Sequence, residues 1–259
     1  MTSAHERFIA AQRKLNGAPI EIDLATTALL IIDMQEYFLN PQSPFSRMME
    51  RRAEGLGEYF QDRSTSMVVP NIQRLLGAFR AARQRVIFTT VASESQDGKD
   101  WSLPFKRMNA EAQEKIGEHS LPAKTDPWAR IVDDLEPSAD DVVINKTTYG
   151  AFSSTGLDAT LRNMGIATIV LVGVVTNRCV ETTMRGAADR GYRVILVDDA
   201  TAAFSQELQD ASTLSLTGAY PSGSCLRSAM TGHLAKSKSR MDFLDADRYT
   251  LRHGGGIST

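Results

Sequence analysis

Three side chains that could carry out nucleophilic chemistry each follow an apolar, strand-like run. Asp33 comes directly after Thr27–Ile32 (TALLII), Lys146 follows the segment DVVIN, and Cys179 lies shortly after residues 167–172. Reactive groups of α/β proteins gather at the carboxyl ends of the strands, so the three could converge in one cleft. A thiol that attacks, a carboxylate that takes its proton and a cation that orients the carboxylate are the parts of nucleophilic catalysis.

Cys179 is predicted to lie in the first turn of a helix over residues 176–190, which Gly191 would end. The positive end of the helix dipole and the unpaired N–H groups there stabilise a thiolate, which predicts a lowered thiol pKa. The alternative is that Cys179 is a small buried apolar side chain, as free cysteines often are. The second cysteine, Cys225, has no comparable setting.

Asp33 directly follows an apolar strand, where a carboxylate is shielded from bulk water and needs a partner. Lys146 would be that partner, and Asp33 would then stay ionised and able to accept the proton of Cys179. The residues alone leave two simpler alternatives open: Asp33 as an ordinary cap of a helix or loop, and Lys146 as a solvated surface lysine.

The elements that must position these residues alternate between strand and helix. Apolar runs without polar alternation suit strands that are covered on both faces, as in a parallel sheet. Strands are expected at Thr27–Ile32, 85–90, 141–144, 167–172 and 193–197, and helices at 69–83, 156–164 and 176–190. Such repeats are joined by right-handed crossovers. The prediction is an α/β fold, a three-layer α/β/α sandwich with a mostly parallel central sheet.

The chain has 259 residues, of which 42% are hydrophobic, enough for one domain with a core at about residues 25–235. Residues 1–24 would be an N-terminal extension and residues 236–259 a C-terminal arm. The polar stretches 36–66 and 91–127 fit no regular element and are expected to be loops that form the lid or walls of a pocket.

Charge and cysteine content exclude several classes of function. The 29 basic and 31 acidic residues are mixed along the chain, which argues against a nucleic-acid partner. No apolar run approaches the ~20 residues of a membrane span, and the N-terminus lacks the apolar segment of a signal peptide. Two cysteines make no disulfide framework. A soluble cytoplasmic protein without membrane or nucleic-acid partners is expected.

Four segments together resemble the isochorismatase-like cysteine hydrolases, which include nicotinamidases and the amidohydrolases of N-carbamoylsarcosine, ureidoacrylate and biuret. The segments are TALLIIDMQEYF, RVIFTT, INKTTYGAFSSTGLDATLRNMGI and IVLVGVVTNRCVETTMRGAADRGYRVILVDDATAAF. The resemblance covers residues 27–205 and implies the same Rossmann-like fold. It also implies that Asp33, Lys146 and Cys179 are a catalytic triad.

The resemblance further implies a cis peptide bond between Val174 and Val175, and an oxyanion hole made by the backbone N–H groups of Val175 and Cys179. The implied reaction cleaves a C–N bond of a small amide, ureido or carbamoyl substrate through a thioester, releasing ammonia or an amine. Candidate substrate contacts, chosen by their positions near the triad, are Phe38, Tyr149, Gln35, Glu94 and Asn177.

The sequence departs from the nicotinamidases at one place. Those enzymes bind a metal through an Asp-x-His and a further His after the second strand, where this chain reads TTVASES over residues 89–95. The four histidines are scattered without ligand spacing, so no metal and no cofactor is predicted. A nicotinamidase, an isochorismatase proper and a catalytically silent oligomeric scaffold remain alternatives. Members of the superfamily usually form dimers or tetramers, so a homo-oligomer is expected.

Overall fold

Apolar strand segments form one parallel sheet in the computed structural model, which describes residues 22–219, 225–226 and 251–252 together with Ser3 and Arg7. The strands of this part of the chain are β1 Ile22–Asp23, β2 Thr27–Ile32, β3 Arg85–Val91, β4 Val142–Lys146, β5 Thr168–Val174, β6 Arg193–Ala202, β7 Cys225–Leu226 and β8 Leu251–Arg252. The main sheet has the order β4-β3-β2-β5-β6-β7, with parallel pairing throughout. β1 and β8 pair with each other in parallel.

Helices cover both faces of this sheet. They are α1 Glu36–Leu39, α2 Pro44–Arg52, α3 Glu58–Arg63, α4 Val69–Ala81, α5 Leu103–Ile116, α6 Leu157–Asn163, α7 Glu181–Ala188 and α8 Gln206–Ala219. Leu29 and Ile31 of β2 face a core cluster that α1 to α5 complete, whereas Leu30 and Ile32 face a second cluster that includes α6 to α8. This alternation is that of a strand buried on both faces. The predicted three-layer α/β/α sandwich is confirmed.

The expectation that residues 36–66 and 91–127 are loops is wrong. The first stretch contains α1, α2 and α3, and the second contains α5. α2 begins at Ser43, whose hydroxyl accepts a hydrogen bond from the Ser46 N–H, with Pro44 in the first turn. The short helices were not apparent from the sequence because packing of an apolar face stabilises them more than intrinsic propensity does; Phe45 and Phe105 are 2% and 3% exposed.

Two element boundaries that bear on the site also differ from the prediction. Lys146 is the last residue of β4 and does not follow it. The helix expected over residues 176–190 is instead a wide, π-helical turn at Thr176–Val180 followed by α7, with Asn177 outside helical geometry at φ −81° and ψ 15°. The predicted N-terminal extension and C-terminal arm fall mostly outside the described residues. In the described part of the chain, no helix is long and apolar enough to cross a membrane.

The end of β5 comes unusually close to the neighbouring strand β2. Gly173 pairs with Ile32 and has a φ of +108°, and the β5–β6 register shifts between Leu171 and Gly173. A Cβ atom on Gly173 would lie 2.1 Å from the carbonyl oxygen of Ile32. Both the left-handed backbone and this close approach require glycine. Since Ile32 immediately precedes Asp33, the contact fixes the ends of two strands that carry the site.

Candidate active site

The side chains of Asp33 and Lys146 form a buried ion pair at the carboxyl ends of β2 and β4. Lys146 Nζ lies 2.7 Å from Asp33 Oδ2, and both side chains are 0% exposed. Lys146 also donates a hydrogen bond to the carbonyl oxygen of Thr148 at 3.0 Å. The second carboxylate oxygen, Asp33 Oδ1, accepts a hydrogen bond of 2.7 Å from the hydroxyl of Thr89. The structure thus brings the two predicted residues together and adds Thr89, which the sequence did not indicate.

The main chain at Asp33 turns sharply as β2 ends. Asp33 has a φ of +53°, a left-handed conformation that aspartate tolerates better than most residues. Its N–H donates to the carbonyl oxygen of Thr89 at 3.1 Å, and its own carbonyl accepts from the N–H of Gln35 at 2.9 Å. Thr89 therefore holds both the backbone and the carboxylate of Asp33.

Cys179 lies beside this pair, in the turn between β5 and α7. Its Sγ is 3.5 Å from Lys146 Nζ, and the residue is 2% exposed. Burial raises the pKa of the Cys179 thiol to about 12, with the charge of Asp33 acting in the same direction and that of Lys146 against it. The expected lowering of this pKa is therefore wrong, because burial outweighs the favourable helix terminus. The thiol is protonated in the resting site.

Lys146 keeps its positive charge in this setting. Burial lowers the pKa of Lys146, but its charge and hydrogen-bond interactions with Asp33 and Cys179 raise it by more, so that the pKa lies above the ordinary value for lysine. A permanent ammonium group between the carboxylate and the thiol would stabilise the thiolate once the proton has left the sulfur. The three groups together have the composition of a nucleophile, a base and an orienting cation.

The turn that carries Cys179 begins at a cis peptide bond between Val174 and Val175, the position that the resemblance implies. The carbonyl oxygen of Val175 accepts hydrogen bonds from the N–H groups of Arg178 at 3.0 Å and Val180 at 3.3 Å. These bonds close the turn around the nucleophile candidate.

A glutamine from α8 holds the same turn from outside. Gln209 is fully buried, and its Oε1 accepts a hydrogen bond from the Thr176 hydroxyl at 2.8 Å. Its Nε2 donates to Asp198 Oδ1 at 2.7 Å and to the Thr201 hydroxyl at 3.0 Å. Gln209 thus joins the cysteine turn to the end of β6. No feature of the sequence indicated this residue, because its role depends on how α8 packs.

A cavity of about 270 Å³, part of which is open to solvent, lies beside Cys179. Most of its described lining residues are aromatic or aliphatic, and Arg178 is the one charged side chain among them. They are Phe38, Phe45, Phe105, Met108, Leu121, Tyr149, Val175, Arg178 and Cys179. Stretches 36–66 and 91–127 thus contribute to the walls, mostly through residues of α1, α2 and α5, with Leu121 lying outside these helices.

Comparison with known proteins supports a single family. Residues 27–224 match the isochorismatase domain. The chain belongs to the isochorismatase family. Among curated relatives of this isochorismatase-family chain, ureidoacrylate amidohydrolase RutB of Methylobacterium radiotolerans is 32% identical over 194 residues, which cover 71% of the chain and 69% of the relative.

Solved structures of the isochorismatase family agree with the fold. A cysteine hydrolase from Pseudomonas syringae pv. phaseolicola superposes with a TM-score of 0.64 at 28% identity, covering 80% of this chain and 91% of that one. N-carbamoylsarcosine amidase from Thermoplasma acidophilum gives a TM-score of 0.53 at 26% identity, covering 75% and 94% of the two chains.

Of the five candidate substrate contacts in this isochorismatase-family chain, Phe38 and Tyr149 line the cavity. Tyr149 packs edge-on against Phe105, with ring centroids 4.6 Å apart. Asn177 is not part of the described wall, and its buried Oδ1 has no hydrogen-bond partner. The role of Asn177 as a substrate contact stays a prediction.

The other two candidates, Gln35 and Glu94, bond to other protein groups, and their role as substrate contacts stays a prediction. The amide of Gln35 is buried and bonded to main chain: Nε2 donates to Ala129 O and Oε1 accepts from Val91 N, both at 2.7 Å. The carboxylate of Glu94 lies on the surface and accepts from Asn145 Nδ2 at 2.8 Å and from Lys124 Nζ at 3.1 Å. Neither side chain lines the cavity, since both are engaged by other protein groups.

The segment after β3, which the sequence comparison with nicotinamidases singled out, is closed by hydrogen bonds to one carboxylate. The hydroxyls of Ser93 and Ser95 and the N–H of Glu94 all donate to the carboxylate of Asp100. Within the described ranges, no group of three or more His, Cys, Asp and Glu side chains is arranged to hold a metal ion. The Asp100 carboxylate thus closes the loop over residues 93–100 by accepting these hydrogen bonds.

Alkylation of Cys179 is expected to be slow at neutral pH and to accelerate as the pH rises. With a pKa of about 12, the thiolate fraction at neutral pH is on the order of a thousandfold below that of an ordinary cysteine. Below its pKa, the thiolate fraction increases about tenfold for each pH unit. The measurement is the rate of iodoacetamide labelling in Cys225→Ser, where Cys179 is the remaining thiol. A plateau of the rate below about pH 9 would contradict the burial argument.

Proposed function

We propose that this chain is a cysteine amidohydrolase that cleaves a C–N bond of a small amide, ureido or carbamoyl compound through a thioester on Cys179. The observation that carries the proposal is the meeting of three groups beside the cavity that Cys179 lines: Lys146 Nζ lies 2.7 Å from the Asp33 carboxylate and 3.5 Å from Cys179 Sγ. The names of two relatives, ureidoacrylate amidohydrolase and N-carbamoylsarcosine amidase, support this substrate class. The broader conclusion, a hydrolase of C–N bonds, follows from the family and these relatives.

The first half of the reaction forms the thioester. The protonated thiol of Cys179 gives its proton to Asp33 as the sulfur attacks the substrate carbonyl carbon. Lys146 stays protonated and stabilises the negative charge that moves from carboxylate to sulfur. The C–N bond then breaks, and Asp33 passes the proton to the leaving nitrogen, so that ammonia or an amine departs.

The second half of the reaction regenerates the thiol. Asp33 takes a proton from a water molecule, whose oxygen attacks the thioester carbonyl. The C–S bond breaks, the proton returns from Asp33 to the sulfur, and the carboxylic or carbamic acid is released. One carboxylate thus acts as base and acid in turn, and the net reaction consumes one water molecule for each C–N bond.

The negative oxygen of each tetrahedral intermediate would be held by the backbone N–H groups of Val175 and Cys179. Both residues line the cavity next to the sulfur. The carbonyl oxygen of Val175 is occupied by the N–H groups of Arg178 and Val180, which fixes the orientation of the main chain at this point. Fixed backbone donors in a water-poor site are the usual stabilisers of such an oxyanion.

The experiment is ammonia release from nicotinamide, N-carbamoylsarcosine, ureidoacrylate, maleamate and biuret, followed by acid quenching and mass measurement of the peptide with Cys179. We expect ammonia from a ureido, carbamoyl or acid-amide member of this panel and a mass increase on that peptide equal to the acyl group. Turnover of nicotinamide alone would favour a nicotinamidase. Isochorismate contains no nitrogen and is assayed separately, and its turnover would favour an isochorismatase proper. No turnover and no adduct would favour the scaffold. The expected homo-oligomer stays a prediction, which light scattering tests.

A further inference from the structure

The cavity wall carries a positive charge that the proposed reaction does not use. Arg178 immediately precedes Cys179 and lines the same cavity. Its guanidinium carbon lies 5.4 Å from the centroid of the Phe204 ring. None of the ion pairs or side-chain hydrogen bonds between described residues involves the Arg178 guanidinium. The charge therefore rests on an aromatic face beside the nucleophile with its N–H groups unused.

Acidic residues on the neighbouring elements are engaged with other partners. Glu181, two residues after Cys179, accepts hydrogen bonds from Arg185 at 2.8 Å and from the Ser212 hydroxyl at 2.6 Å. Asp198 of β6 accepts from Gln209 and from the Thr213 hydroxyl at 2.7 and 2.9 Å. The nearby arginine Arg63 differs from Arg178, because it donates to the carbonyl oxygens of Thr201 and Asp198. Glu181, Asp198 and Arg63 thus have partners of their own, and none of the hydrogen bonds among the described residues joins them to the Arg178 guanidinium.

An unpaired guanidinium in an apolar wall selects for negative charge. Its planar fork of N–H groups matches a carboxylate and forms two parallel hydrogen bonds with it. The attraction is stronger beside aromatic walls than in water, because the effective dielectric constant is lower there. A neutral ligand in the same position would leave the cation without compensation.

We propose that Arg178 binds a carboxylate of the substrate, so that this chain prefers short amide or ureido acids over neutral amides. The inference rests on the proposed function and narrows its substrate class. Arg178 and Cys179 are adjacent in sequence, and the cavity of about 270 Å³ is small. The carboxylate therefore lies only a few atoms from the carbonyl carbon that the sulfur attacks. Arg178 is assigned as a specificity residue, with the triad responsible for bond cleavage.

Binding and turnover test this assignment separately. Ureidoacetate, 3-ureidopropionate, 3-ureidoacrylate and their methyl esters are titrated calorimetrically into Cys179→Ala, which lacks the nucleophile. We expect at least one acid to bind more tightly than its ester, and the added change Arg178→Met to weaken that acid about 10- to 100-fold with little effect on the ester. Arg178→Lys keeps the charge without the fork and should restore part of the affinity. In the active enzyme, Arg178→Met should raise KM for the acid far more than it lowers kcat.

Arg162→Met is the matched control, since Arg162 also lies over an aromatic ring, with its guanidinium carbon 5.3 Å from the centroid of Tyr192, but does not line the cavity. Cys179→Ala with Arg162→Met should bind each acid and each ester as tightly as Cys179→Ala alone. Equal binding of every acid and its ester, or no binding of any acid, would overturn the assignment even where amides are turned over. Acid-selective binding that depends on Arg178 without any ammonia release would instead retain the assignment and overturn the proposed reaction.

Discussion

Cys179→Ala is expected to lower kcat by about 10³- to 10⁶-fold with a folded protein retained. Alanine removes the sulfur that would form the thioester, whereas Asp33, Lys146 and the backbone of the turn stay in place. The residue is 2% exposed and packs in the core cluster of α6 to α8, so loss of one buried atom should reduce the free energy of unfolding by only about 1 kcal/mol. Ammonia release and urea unfolding measure the two effects.

Two further variants test whether the loss of activity is due to the thiol of Cys179. Cys179→Ser keeps the shape but replaces the thiol by a much weaker acid, and it should be nearly as inactive as Cys179→Ala. Cys225→Ser is the matched cysteine replacement and should retain native activity. If Cys179→Ala kept more than a tenth of the native kcat, the thioester mechanism would be abandoned.

Lys146→Met is expected to lower both the free energy of unfolding and kcat. The variant leaves the Asp33 carboxylate 0% exposed with the Thr89 hydroxyl as its remaining side-chain partner among the bonds described above. Removing one partner of a buried ion pair costs about 3–5 kcal/mol, because the other charge stays buried without compensation. The activity should fall with it, since Lys146 also stabilises the charge that passes to sulfur. Urea unfolding and ammonia release give the two values.

A surface lysine and a double variant separate the two roles of Lys146. Lys124 pairs with Glu94 at 3.1 Å, but its side chain is 56% exposed, so Lys124→Met should change stability by no more than about 1 kcal/mol. Asp33→Asn with Lys146→Met removes both charges, and asparagine tolerates the φ of +53° at this position. The double variant should regain much of the stability and none of the activity. An active double variant would exclude Asp33 as the base.

The meeting of Asp33, Lys146 and Cys179 could be predicted because each lies at or shortly after the end of an apolar strand, and parallel strands end at one edge of the sheet. Thr89 could not, since β3 contains Thr89 and Thr90 and only the register decides which one faces Asp33. The observed register pairs Ile32 with Thr89, whereas the Thr90 hydroxyl donates to Asn145 on the neighbouring strand at 3.1 Å.

What the sequence could not predict shares a physical cause, which is that burial and main-chain hydrogen bonding depend on distant segments. Gln35 is close to Asp33 in sequence, but its amide satisfies the main chain of Val91 and Ala129, which lie 56 and 94 residues away. The pKa of Cys179 was inferred from a helix terminus, whereas its direction is set by burial under elements far along the chain. Local sequence patterns predict the position of a side chain at the end of a strand or helix. They do not predict its burial or its hydrogen-bond partners, which depend on distant segments.

The backbone contact at Gly173 holds the strand ends that carry Asp33 and Cys179, whereas most of the cavity wall comes from other elements. It lies one residue before Asp33 on β2 and just before the cysteine turn on β5, so the backbone of the sheet sets the separation of Asp33, the proposed base, from Cys179, the proposed nucleophile. The aromatic walls, by contrast, come partly from helices inserted between strands, with Phe38 in α1, Phe45 in α2 and Phe105 in α5. Exchange of these helices would alter the accepted amide without moving the thiol. They are the segments to randomise when a new substrate specificity is sought.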